Sequence, residues 1–347
     1  MQRVINYTKH NVTDEDIAAV VSVLKSDRLT QGPTVPRLED ALCKAVGCNH
    51  AVCVSSGTAA LALAYLASGC HTIVTSPISC MATPNAALMV GLQVEFVDTD
   101  PRHGLMEDQR QFSHVLQVPI WLAGKSTTIP ESACVIDACQ ALGHPVLGDA
   151  LKWVDGAAIS FHPTKVIAAG EGGAVLTNNP DFAMRVREMR DYGRDVETRR
   201  MVRLGMNDRM DEMSAALALS QLSRLKENIA RRSALVDLYD DQLKDVEEIQ
   251  RIPHSGLSTC YLYQVHCVGV DRDVFRKRLL ERGIETQIHH PPIHLEPYYR
   301  KRFGYTDGDF PNAEAFGATV VTLPLFSTMT KEEVGRVVEA IIASVSE

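Results

Sequence analysis

Lys165 closes the segment Ser160-Phe161-His162-Pro163-Thr164-Lys165, where a lysine is set up for chemistry by what precedes it. The apolar run Ala157-Ala158-Ile159 leads through Ser160 and Phe161 as a buried strand. His162-Pro163 ends it, because the residue before proline is pushed out of helical conformation. An amine delivered at a strand end stands where α/β folds place their reactive groups. Desolvation there lowers its pKa and leaves a nucleophile. Taken alone, the same residues also fit a surface lysine in a turn, since short motifs recur by chance.

Two further stretches bear on that choice. Val135-Ile136-Asp137-Ala138-Cys139-Gln140 ends an apolar strand with a carboxylate, and Val54-Ser55-Ser56-Gly57-Thr58-Ala59 runs from a strand into a helix start. An amine, a strand-end carboxylate and an anion-binding turn are what pyridoxal phosphate needs. Lys165 would form the Schiff base, Asp137 would keep the pyridinium nitrogen protonated, and the turn would grip the phosphate. In that turn Thr58 and Ala59 offer backbone amides, Gly57 permits close approach, and Ser160 adds a hydroxyl. Asp137 also fits a helix cap before Ala138 and Cys139, and Ser-Ser-Gly-Thr by itself is a generic turn. Gly170-Glu171-Gly172-Gly173 is no dinucleotide fingerprint, because its spacing and context differ.

The elements that must position these groups read as an alternation. Thr13 followed by three acids starts a helix with an apolar face at Ile17, Val20, Val21 and Leu24. A second helix carries Val35, Leu38, Leu42 and Val46 and stops at Gly47. Strands are predicted at 51–54, 72–75, 94–97, 118–122 and 133–136, with helices at 59–67 and 84–90. This βαβα rhythm predicts an α/β fold with a mostly parallel sheet covered on both faces. Residues 174–177 return as an antiparallel strand. Helices are predicted at 182–192 and 210–230. A smaller unit follows, with a strand at 263–268 and helices at 274–282 and 331–344.

The bulk properties exclude several classes. The chain of 347 residues is 45% hydrophobic and 22% charged, as for a soluble globular enzyme of two domains. A net charge of −8 argues against a nucleic-acid partner. No long apolar segment predicts a membrane span, and the first residues hold no apolar signal core, so a cytoplasmic protein is expected. The nine cysteines read as free thiols in a reducing compartment. His289, His290 and His294 invite a metal reading, but Pro291-Pro292 forces an extended path between them, and no metal is expected.

With Gly205-Met206-Asn207-Asp208-Arg209 and Glu212, these motifs resemble the DegT/StrS family of nucleotide-sugar aminotransferases from about residue 30 to 326. The resemblance implies the fold type I architecture of pyridoxal-phosphate enzymes. That is a mostly parallel sheet of the seven-stranded type in a large domain, 1–233, with a smaller C-terminal α/β domain, 234–347. It implies Lys165 and Asp137 as the catalytic pair, where a positioned proton carrier is worth ~10²–10⁴-fold. Related sugar dehydratases have histidine at the lysine position, so Lys165 favours transamination. Gln140 would meet the 3-oxygen of pyridoxal phosphate or stack nearby. Asn207 would reach the phosphate from a neighbouring subunit, giving a homodimer with shared sites. Taken without the resemblance, Asn207 is a turn residue. Arg209 and Glu212 would hold its loop by an ion pair. On the substrate side the resemblance points to Thr30, Gln31, His290 and His294, with Arg194 near a diphosphate.

Within the family, Leu29-Thr30-Gln31-Gly32, Thr75-Ser76-Pro77-Ile78-Ser79, Ala123-Gly124-Lys125-Ser126 and His294-Leu295-Glu296-Pro297-Tyr298-Tyr299 are similar to the 4-aminotransferases of the pseudaminic-acid pathway. The expected partners are therefore glutamate and a UDP-linked 2-acetamido-2,6-dideoxy-hexos-4-ulose. Another nucleotide-linked keto sugar is the alternative substrate, and a non-catalytic subunit of the same fold the alternative role. Two departures stand out. Cys80 occupies the position where the family places an aromatic ring on the cofactor, so either the cofactor is held more loosely or another side chain, His162 or Met81, covers that face. Only residues 123–132 separate two predicted parallel strands, too few for the usual helical crossover, which leaves the pairing there open.

Overall fold

A computed structural model describes residues 4–106, 115–129, 134–253 and 258–346. In chain order the first part comprises α1 (Asp14–Leu24), α2 (Thr34–Val46), β1 (His50–Val54), α3 (Gly57–Ser68), β2 (Thr72–Thr75), α4 (Ala82–Met89) and β3 (Gln93–Phe96). Then come β4 (Leu116–Val118), β5 (Val135–Asp137), α5 (Leu147–Ala150), β6 (Gly156–Ser160), β7 (Gly173–Thr177), α6 (Pro180–Met189), α7 (Glu212–Leu222) and α8 (Leu225–Gln242). The last part holds β8 (Ile249–Arg251), β9 (Tyr263–Cys267), α9 (Arg272–Glu281), α10 (Pro297–Phe303), α11 (Pro311–Thr319), β10 (Val320–Leu323) and α12 (Lys331–Val345).

The central strands fall in the order β1-β7-β6-β5 in one sheet and β3-β2-β4 in another. β2 is parallel to β3 and β4, and β5 to β6, while β7 runs antiparallel to both β1 and β6. The expected single sheet is here two hydrogen-bonded sets of strands that meet between β4 and β5. Among the described residues β4 and β5 pair through the parallel bridges Gln117–Cys134 and Ile120–Asp137. Pro119 lies at the join and has no N–H to give the ladder. Its carbonyl accepts from Asp137 N at 3.0 Å, and Trp121 N returns a 3.0 Å bond to Asp137 O. The strand predicted at 118–122 therefore sits earlier, and Leu122–Gly124 forms a single 3-10 turn with Ala123 at φ 57°. Residues 130–133, the end of the short crossover and the predicted start of β5, lie outside the described residues.

Strand alternation explains how both faces are covered. Ala51, Cys53, Ile136, Ala157, Ile159, Ala174 and Leu176 join one core with Leu38, Leu42 and Trp121. Their neighbours Val52, Val54, Val135, Ala158 and Val175 join a second core with Leu61, Leu63 and Tyr65 of α3. The two-residue period of the pleat sends consecutive side chains into opposite layers. A third core runs from Leu235 to Ile341 around β10-β9-β8, and takes in Ile5. The helix predicted at 210–230 is two helices, broken at Ser223-Arg224, and the boundary expected at 233/234 falls inside α8. No helix among the described residues is long and apolar enough to cross a membrane.

Glu212 holds this frame together differently from expectation. It is 1% exposed and makes no pair with Arg209. Instead its carboxylate accepts from Gly32 N at 3.1 Å, Thr34 N at 2.6 Å and Val35 N at 3.2 Å, so it satisfies the open first turn of α2. Arg209 pairs with Asp191.

Candidate active site

A cavity of about 310 Å³ opens at the ends of β5 and β6 and the start of α3. Asp137, Gln140, Ser160 and Lys165 line it, together with Gly57 and Thr58. Sequence-distant segments close it: Tyr7 from the N-terminal stretch, Tyr261 from the approach to β9, and His289 and His290.

Asp137 is 5% exposed. Its Oδ2 accepts from Thr83 Oγ1 at 2.6 Å, and Thr83 is 2.6 Å from Ser79 Oγ. Its Oδ1 accepts from Cys139 N at 3.1 Å, so the local turn role and a place in the cavity coexist. At the anion end, Ser56 Oγ already accepts the Ala59 amide at 3.0 Å. The amides left without intrahelical acceptors are those of Gly57 and Thr58, which corrects the pairing of Thr58 with Ala59. Glycine at 57 serves packing: a Cβ there would lie 2.8 Å from Ser160 Cβ. Gln140 Oε1 accepts from Ala123 N at 2.6 Å, and its Nε2 faces His290 Nε2 at 3.5 Å.

Lys165 differs from expectation in its titration. Burial lowers its pKa, but Tyr261, Cys139, Cys80 and Asp137 together outweigh burial and raise it above the ordinary lysine value. Without cofactor the amine is therefore an ammonium. Burial and this charge hold His289 down to about 4 and His290 well below the usual imidazole range, so both rings are neutral.

Five expected site residues lie elsewhere. His294 is fully buried, 3.0 Å from Glu314 Oε1 and packed on Phe310, so it supports the fold and cannot meet substrate in this cavity. Thr30 is exposed and bridges to Asp211 through its backbone. Gln31 and Arg194 line a second cavity of about 250 Å³, with Arg187, Arg190, Arg199 and Arg209. Asn207 is exposed on the strip facing Asp191, outside the first cavity.

A buried carboxylate, a lysine and a helix start with two open amides, converging on one cavity, fit pyridoxal phosphate. Residues 10–112 and 131–342 match the DegT/DnrJ/EryC1/StrS aminotransferase family. The chain belongs to that family. This aminotransferase, whose cofactor is pyridoxal phosphate, is 28% identical over 360 residues to the UDP-4-amino-4,6-dideoxy-N-acetyl-beta-L-altrosamine transaminase of Campylobacter jejuni, covering 95% of this chain and 94% of that one. It matches the structure of Helicobacter pylori PseC, an aminotransferase involved in the biosynthesis of pseudoaminic acid. The TM-score is 0.91 at 25% identity, over 99% of this chain and 100% of that chain. S. venezuelae DesV matches with a TM-score of 0.86 at 28% identity, over 95% and 94% of the two chains. The family match is interrupted between residues 112 and 131, the region of the short crossover.

Sequence reasoning missed Tyr7 and Tyr261, which carry no local motif, and noted His289 only as one of three histidines inviting a metal reading. Cys80 is exposed and lines the cavity with His162, whereas Met81 does not line it. Cys80→Phe in this aminotransferase is expected to tighten pyridoxal phosphate up to about tenfold, since aromatic pairs are worth roughly 0.5–1.5 kcal/mol. Titrating cofactor-free protein checks this, and weaker binding would mean that His162 already covers the ring.

Lys125, in the segment that replaces the crossover helix, is 3% exposed, and its Nζ has no hydrogen-bond partner among the described residues. Burial pushes its pKa down from 10.5 to about 8. Below that value both folded and unfolded chains carry the charge, and the folded chain bears the full desolvation cost. The cost is relieved as pH rises from about 8 to 10.5. Lys125→Met should therefore stabilise the fold at pH 7 by about 3 kcal/mol at most. Its gain should vanish above pH 10.5, and a gain that is the same at both pH values in denaturant unfolding would contradict this.

Proposed function

We propose that this aminotransferase moves an amino group from glutamate to the 4-keto carbon of a UDP-linked 2-acetamido-2,6-dideoxy-hexos-4-ulose, as in the pseudaminic-acid pathway. The observation that carries the reaction class is Lys165 and Asp137 on one cavity beside the start of α3. The substrate reading is supported by the likeness to the UDP-aminosugar transaminase of C. jejuni and to H. pylori PseC. A diphosphate reading is supported by the second cavity, where five arginines face one another with Asp191 as the acid in the lining.

Bound pyridoxal phosphate supplies an electron sink for the carbon that gains or loses the amine. In this reading the Gly57 and Thr58 amides and Ser160 Oγ hold its phosphate, and Asp137 holds a proton on its ring nitrogen. Gln140 orients the ring edge. Lys165 would anchor the cofactor and, once its amine is free, its Nζ would hold and release the proton that transamination moves.

The test is a panel of UDP-, GDP- and dTDP-linked 4-keto sugars assayed with glutamate. Preference for the UDP-linked N-acetylated sugar is expected; turnover of a dTDP or GDP sugar alone would replace it with the alternative substrate. No turnover of any, with intact pyridoxal phosphate binding, would favour the non-catalytic subunit.

A homodimer with shared sites belongs to the same reading. Val196, Met201, Val202, Leu204 and Met206 form an exposed apolar strip beside Asn207, and Leu204 is 80% exposed. A surface so apolar is expected to be covered by a second copy. Mixing inactive Lys165→Ala with inactive Asn207→Ala chains should restore some activity, because one hybrid site is intact. Proven subunit exchange without recovered activity would remove Asn207 from the partner's site.

A further inference from the structure

Lys165 Nζ lies 4.6 Å from the centroid of the Tyr261 ring. The ring is pinned at its rim, where Tyr261 Oη and Thr164 Oγ1 are 3.1 Å apart. Thr164 Oγ1 is in turn 3.0 Å from His162 Nδ1. The backbone of Tyr261 is fixed as well, since its carbonyl accepts from buried Arg232 Nη1 at 3.1 Å. Thr164 precedes Lys165 directly, so the tether and the amine belong to one rigid stretch.

We infer that Tyr261 is a positioning residue for Lys165, whose aromatic face holds the ammonium whenever the amine is free of the cofactor. The inference rests on the reading of Lys165 as the cofactor lysine. An amine that alternates between a bound and a free state needs a fixed place between the two. Unheld, its four-carbon stem has much rotamer freedom to lose at each return. A desolvated aromatic face attracts a cation, and the Thr164 tether keeps that face turned to Lys165.

The other groups that face the amine act with Tyr261 or are silent. Asp137 favours the ammonium, and Cys139, raised well above the ordinary thiol value by burial, is a neutral thiol. Tyr7 is raised above the ordinary phenol value by burial, and His289 and His290 are neutral. Glu171 also lines the cavity.

The experiment uses the full chain freed of cofactor. The rate at which acetic anhydride acetylates Lys165 is followed against pH by peptide mass spectrometry, with exposed Lys152 as the internal reference. Tyr261→Leu should move the midpoint of that profile down by about 0.5–1.5 pH units. Tyr261→Phe keeps the ring and should stay near the wild-type midpoint, and Thr164→Val should shift it downward by less than the leucine variant. A Tyr261→Leu profile that overlies the wild type overturns the inference, as does an equal shift in Tyr261→Phe. If the leucine variant does not fold, Tyr261→Met makes the same comparison. Borohydride reduction of the holoprotein reports separately on the underlying reading. Pyridoxyl label on another lysine would end the assignment of Lys165 but leave the titration to decide on Tyr261.

Discussion

Lys165→Ala is expected to abolish turnover and the reducible attachment of pyridoxal phosphate. The loss of proton transfer alone is worth ~10²–10⁴-fold, and the loss of the covalent anchor adds to it. The substitution truncates a side chain that lines a cavity and belongs to none of the three cores, so the fold should survive it. Borohydride reduction with peptide mapping and a single-turnover reaction with glutamate measure the two effects. A Lys165→Ala protein that still yields the same pyridoxyl-peptide would end the assignment.

Asp137→Asn should keep the cofactor bound while slowing the glutamate half-reaction by about 10–10³-fold. That range follows from removing a neighbouring carboxylate that raises a ring nitrogen's pKa by about 1–3 units. The local geometry allows a clean test. The new amide nitrogen can donate to Thr83 Oγ1, which can turn its own hydrogen toward Ser79 Oγ, 2.6 Å away. The amide oxygen can keep the bond from Cys139 N. The shape is then preserved and the charge is lost. A near-normal half-reaction rate in that variant would refute the role proposed for Asp137.

Much of this was legible in local sequence. The apolar runs before Asp137 and before His162-Pro163 located β5 and β6, and their ends do line the cavity. Thr13 caps α1 in a capping box with Asp16, as its acidic first turn implied, and the return of residues 174–177 is the antiparallel β7. These features depend on neighbours within a few residues, where periodicity, caps and proline act.

What the tertiary structure alone decided lies at long separation. The sequence offered Glu212 a pair three residues away, but folding brought it to the open amides of α2, 178 residues from Thr34. His294 carried a motif resemblance yet ended in the core against Glu314, because Phe310 and Tyr305 close around it. The short crossover was visible, but not that Pro119 would reduce the β4–β5 join to single bridges. Tyr261 meets Thr164 across 97 residues with no motif of its own. A hydrogen bond or ring contact of this kind follows from how separately formed layers pack, and short-range signals, which fix each element's identity and ends, do not encode which faces meet.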